Sequence, residues 1–207
     1  MSSRGKPLYL RRLGRLARAY SGPASPLRAL ELALADTDTP HVLIGGLAVV
    51  AGGYDRHTDD IDVLVAPQHG LERLRMRLNG SGFRSPPSRT GTILRALHRE
   101  SGVEVELLVA QDEIDEYALR TSRPGIFAGQ AIRLPSSTGL ILLKLKASLD
   151  PKRRAKAMGD VLNLLAALPH PNRTQVVRAT QIQWAACTGR DLPPGWLETL
   201  SLLSAIS

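Results

Sequence analysis

The chain has 207 residues, of which 43% are apolar, so it can build a packed core and wholesale disorder is excluded. No apolar run reaches membrane-spanning length and the basic start lacks the apolar centre of a secretory signal, so a cytoplasmic protein with no membrane partner is expected. The formal net charge of +8 is uneven: six basic residues (Arg4, Lys6, Arg11, Arg12, Arg15, Arg18) and no acid fall in the first 18 positions, leaving 21 basic and 19 acidic residues elsewhere. Such a tail would attract a polyanion such as RNA in a salt-dependent way. The single cysteine, Cys187, excludes an internal disulfide and a cysteine-based zinc site.

In chain order, residues 1–22 form a basic extension, broken by Gly22-Pro23. Ser25 as N-cap and Pro26 at the first helical position open a helix with a Leu27, Leu30, Leu34 stripe. A strand follows at Val42–Ile44, then the pair Gly45-Gly46 and a short helix Leu47–Ala51 closed by Gly52-Gly53. A loop, Tyr54–Asp59, leads to a second strand, Ile61–Val65. Leu71, Leu74 and Leu78 mark an amphipathic surface helix. Phe83–Thr92 reads as a loop, and Ile93–His98 with Val103–Ala110 as a hairpin. A short helix over Asp112–Arg120 and one strand within Ile126–Leu134 are predicted next. Four helices follow: Ser136 or Ser137 to Leu149, one carrying Val161–Leu168, Thr174–Ala186, and Trp196–Ile206. Helices gathered after a mixed sheet predict an α+β fold, with an extension at 1–22, a core at 23–150 and a C-terminal helical region at 151–207.

The chemistry concentrates in His41–Val65. Asp60 and Asp62 are two apart and point to one face of a strand. Side-by-side carboxylates repel, and a divalent cation such as magnesium reverses the sign of that interaction. A glycine turn before a helix leaves backbone N–H groups free to meet phosphate. The two halves together read as a site for a metal-bound nucleoside triphosphate. In the later strand Glu104 and Glu106 also share a face, explained either by an open sheet or by Glu106 completing the acidic set.

These features resemble the DNA polymerase beta-type nucleotidyltransferase superfamily, and within it the abortive-infection and toxin-type branch. The resemblance is carried by Gly45-Gly46, Arg56-x-Thr58-x-Asp60-Ile61-Asp62, Val105-Glu106-Leu107-Leu108, and Leu142-Leu143-Lys144-Leu145 followed by Arg153–Asp160. It spans about residues 41–165. It implies a mixed sheet in which Asp60, Asp62 and Glu106 ligate magnesium, with Glu106 as third ligand or base and Glu104 as its alternative. It implies Gly45 and Gly46 beside the triphosphate, and Arg56, Thr58 and Lys144 near the nucleotide, with Lys144 as the triphosphate clamp. Glu106 departs from the aspartate common in relatives; Ala157 replaces an acid found beside Lys156, while Asp160 keeps the other. The implied activity is transfer of a nucleoside monophosphate from an NTP to an acceptor hydroxyl. RNA, especially tRNA, is the first acceptor, then a protein hydroxyl, then a small molecule such as an antibiotic. A toxin role would add an antitoxin partner. The alternative is a non-catalytic descendant that binds a nucleotide or a partner.

Overall fold

The computed structural model describes residues 24–67 and 70–205, so the whole basic extension at 1–22, with its predicted role, lies outside the described residues. Within them are eight helices and seven strands. Helix α1 (Pro26–Asp36) starts at the predicted cap, the Ser25 side chain accepting the Arg28 N–H, and buries Leu27, Leu30, Ala33 and Leu34. Strand β1 (His41–Ile44) runs into α2 (Gly45–Ala51), and β2 (Asp60–Val65) into α3 (Leu71–Gly80). Then come β3 (Phe83–Arg84), β4 (Ile93–His98), β5 (Glu104–Val109) and α4 (Glu113–Arg120). The hairpin β6 (Arg123–Phe127) and β7 (Gln130–Leu134) precedes α5 (Ser137–Ala147), α6 (Arg154–Ala166), α7 (His170–Thr188) and α8 (Pro194–Ala205).

The main sheet has the order β1-β2-β5-β4-β3 and is mixed. β2 and β5 are parallel; every other pair is antiparallel. Alternation divides its two faces. Leu43, Ile61, Val63, Leu94, Val105 and Leu107 enter a large apolar cluster with Leu27, Leu30 and Leu34 of α1 and Leu74 and Leu78 of α3. A second cluster joins α4, α5, α6, α7 and α8 through Ile114, Ile141, Leu145, Val161, Leu165, Trp184 and Leu200, with Trp184 edge-on to Trp196 at 5.6 Å. Helix α5 thereby packs across the 150/151 position. This is the α+β architecture expected, with helices flanking the sheet and a helical C-terminal part. Among the described residues no helix is long and apolar enough to cross a membrane.

Three elements differ from the sequence expectation. The single strand expected within Ile126–Leu134 is a hairpin, because Ala128 (φ 51) and Gly129 (φ 78) both take left-handed backbone and form its tight turn. Phe83–Arg84, expected as loop, pairs with Leu97 and His98 as a short edge strand. Helix α7, expected from Thr174, starts at His170, with Pro171 in its first turn, where a missing N–H has no intrahelical bond to lose.

Candidate active site

The acid cluster follows from strand alternation and register. The parallel pairing places Asp60 opposite Glu104 and Asp62 opposite Glu106. Ile44 lies opposite Asp62 on one side and Arg95 opposite Glu106 on the other, so one row across the sheet reads Ile44, Asp62, Glu106, Arg95. Directly opposed residues share a face. Farther along that face, Val42, Leu64 and Leu108 pack with Ala118 and Leu119 of α4. Helix α4 therefore covers the apolar end of the face, and the acidic end borders a cleft of about 450 Å³. Arg56, Thr58, Asp60, Gly102, Glu104 and Lys156 are among its lining residues.

Burial and like charge act together on the carboxylates. The Asp62 carboxyl is pushed up to about 6, first by burial, then by the negative charges of Asp60 and Glu106, with Lys144 and Lys156 pulling the other way. The Thr58 hydroxyl, itself buried, donates to Asp60 Oδ1 at 2.7 Å and fixes that carboxylate. Arg95 Nε donates to Glu106 Oε1 at 2.6 Å. Among the described residues no three Asp, Glu, His or Cys side chains are gathered tightly enough to hold an ion. The donor chemistry nonetheless suits magnesium: hard carboxylate oxygens, facing one way, whose mutual repulsion a divalent cation would relieve.

The glycine pair packs directly against these residues. Gly45 has φ +66, and a Cβ there would overlap the Asp62 carboxylate; a Cβ at Gly46 would overlap the Thr58 side chain. Both positions therefore require the absence of a side chain, quite apart from any phosphate. Helix α2, which they open, has no side-chain cap on its N-terminus.

Arg56 and Lys144 meet on one buried carboxylate. Arg56 Nη1 donates to Asp160 Oδ1 at 2.9 Å and Oδ2 at 2.7 Å, and Lys144 Nζ lies 2.9 Å from Oδ2. Asp160 is 4% exposed. Burial lowers the Lys144 ammonium's affinity for its proton, while Asp160 and, more weakly, Asp62 support the charge. The Arg56 partnership with Asp59 allowed by sequence proximity does not form; Asp59 pairs with His57. One sheet end thus carries Asp60, Asp62, Glu106, Gly45, Gly46 and Thr58, while Arg56 and Lys144 meet on Asp160 and the Lys144 charge acts on Asp62.

Arg95 and Lys156 escaped the sequence reading. Arg95 was discoverable: a hairpin turning at Arg99–Gly102 sets it opposite Glu106. Nothing in the basic run 152–156 marked Lys156 as the member that reaches the cleft.

No family model matches the sequence, and no curated protein matches it either. Solved structures do. An antigenic nucleotidyltransferase-like protein from Paracoccidioides brasiliensis is similar with a TM-score of 0.53 and 18% identity, over 85% of this chain and 89% of that one. ANT(2'')-Ia, solved in complex with adenylyl-2''-tobramycin, is similar with a TM-score of 0.54 and 19% identity, over 77% of this chain and 97% of that one. The fold is a nucleotidyltransferase fold. At these identities the likeness establishes architecture, and the chemistry has to be argued from the residues.

Proposed function

We propose that this chain is a magnesium-dependent nucleotidyltransferase that moves a nucleoside monophosphate from an NTP to an acceptor hydroxyl. The observation that carries this reading is the pairing of Asp60 with Glu104 and of Asp62 with Glu106 on one face of adjacent parallel strands, beside a cleft that Asp60 and Glu104 line. In the transfer, the acceptor oxygen bonds to the α-phosphorus as the bond from that phosphorus to the bridging oxygen breaks. Pyrophosphate leaves, and the hydroxyl proton passes to a base. Asp60 and Asp62 would hold magnesium, and Glu106 would be third ligand or proton acceptor, exchanging its exposed Arg95 pair for that role. Bound magnesium supplies charge stabilisation at the attacking and leaving oxygens. Thr58 keeps the Asp60 oxygens oriented, Gly45 and Gly46 let backbone approach the site, and Arg56 and Lys144 set a positive field beside it.

RNA, especially a tRNA end, is the first acceptor in this reading, supported by the six basic residues among the first 18. A toxin held in check by an antitoxin protein is the physiological form that goes with it. A small-molecule hydroxyl is the second reading; a cleft of about 450 Å³ falls within the size range of small-ligand sites. The test is incubation with magnesium, each α-labelled ribonucleoside triphosphate, total RNA and an aminoglycoside. Label is expected on RNA, and its loss in Asp60→Ala and Asp62→Ala would support the assigned acids. Label on the aminoglycoside would select the second acceptor. Full transfer by both variants would reject the site.

A further inference from the structure

Three cations neighbour the acid row from the helical side: Arg56, Lys144 and Lys156. They are not equivalent. Arg56 and Lys144 are each 13% exposed at the side chain and both are committed to Asp160, whose own side chain is 6% exposed. Moving either onto a ligand would strand the Asp160 charge or leave its companion underpaired in a desolvated setting. Lys156 differs in each respect. It is exposed, lines the cleft together with Asp60 and Glu104, and its charge is felt at the Asp62 carboxyl. It makes no ion pair or hydrogen bond among the described residues. Its position, third residue of α6, is one where the helix dipole disfavours a cation, so helix stability gives no reason for a lysine there.

The geometry points to Lys156 as the side chain that contacts the polyphosphate of the NTP, with Arg56 and Lys144 acting as positioning residues behind it. This rests on the nucleotidyltransferase reading of the cleft and assigns within it the direct charge contact. A flexible ammonium already in water reaches a phosphate oxygen with little desolvation, and it can follow the pyrophosphate as charge grows on the leaving group. The contact is with phosphates beyond the first, so it discriminates triphosphate from monophosphate and leaves the base unread.

The test is calorimetric titration with magnesium and an ATP analogue carrying a methylene between the α- and β-phosphorus. AMP is run in parallel, and GTP, CTP and UTP analogues repeat the measurement. Lys156→Ala is expected to weaken the triphosphate about ten- to a hundredfold, as loss of one charge-assisted contact does. AMP affinity should stay within about twofold, the salt dependence of triphosphate binding should shrink, and Lys156→Arg should recover most of the loss. In turnover, the Ala variant should raise KM more than it lowers kcat. An exposed side chain leaves folding intact, checked by an unchanged Tm. Equal triphosphate affinity in wild type and Lys156→Ala would overturn the inference while leaving the cleft reading in place. Failure of wild type to bind any of the four triphosphates would overturn both.

Discussion

Replacing Asp62 by Asn should make the metal-free protein more stable while abolishing its function. The Asp62 carboxyl sits at about 6 against its ordinary 3.8, raised by burial and by Asp60 and Glu106. At about 1.4 kcal/mol per pKa unit, this separation corresponds to about 3 kcal/mol carried by the ionised folded state at pH 7. The sign follows from proton binding. Between 3.8 and about 6 the folded state holds the proton that the unfolded state has released, so stability falls as pH rises through that window. Asparagine keeps the shape and removes the charge. In EDTA at pH 7.5, Asp62→Asn should melt higher than wild type by about 6–12 °C, taking about 2–4 °C per kcal/mol for a chain of this size. The gap should close as pH is lowered toward 4, where the wild-type carboxyl is protonated. Magnesium should raise the wild-type Tm and leave that of the variant unmoved. The assay is differential scanning fluorimetry across pH 4–8, with and without magnesium, alongside nucleotidyl transfer. An Asp62→Asn protein less stable than wild type at pH 7.5 in EDTA would refute the claim that burial and neighbouring charge make the ionised Asp62 carboxylate costly.

Two further substitutions probe the supports of the row. Gly45→Ala combines a left-handed backbone with overlap on the Asp62 carboxylate; it should cost about 2 kcal/mol or more in urea unfolding and depress transfer with it. Asp160→Asn leaves Arg56 and Lys144 buried without their shared anion and should cost about 3–5 kcal/mol by the same measurement. Adding Lys144→Met to Asp160→Asn should recover part of that loss in a double-mutant cycle. Additive losses would mean the two side chains do not depend on one another.

What was legible in the sequence was whatever a single strand or helix decides for itself. The two-residue spacing of Asp60 and Asp62 puts them on one face whatever the sheet does. The same holds for Glu104 and Glu106 on β5, and Ser25-Pro26 starts a helix without tertiary help. The meeting of Asp62 with Glu106 depends on β2 and β5 being parallel neighbours, which the family resemblance implied and periodicity alone does not contain. Side-chain partnerships across 104 residues are less visible still. Arg56 had Asp59 close by in sequence, yet it reaches Asp160 on α6 because the loop before β2 packs against the helical region. The β6–β7 hairpin was missed because alanine, which occupies left-handed backbone rarely, stands in its turn at Ala128.

The distribution of counter-charges argues that the acid row is kept for a ligand. Asp60 receives a neutral hydroxyl from Thr58, Glu106 receives Arg95 at the sheet's outer side, and Arg56 and Lys144 are held by Asp160. Among the described residues no ion pair forms at Asp62, where burial and the charges of Asp60 and Glu106 act together. A leucine at 62 would continue the apolar face that Leu64 begins, and a closer Lys156 would neutralise the charge; the chain has neither. A cation from solution would relieve that charge, which would tie metal affinity to folding. A site-bound ion at a hundred times its dissociation constant adds about 2.7 kcal/mol to stability. That is close to the cost estimated for the Asp62 charge. Magnesium-saturated wild type and metal-free Asp62→Asn should therefore converge in Tm, although only the first retains a row able to hold the ion.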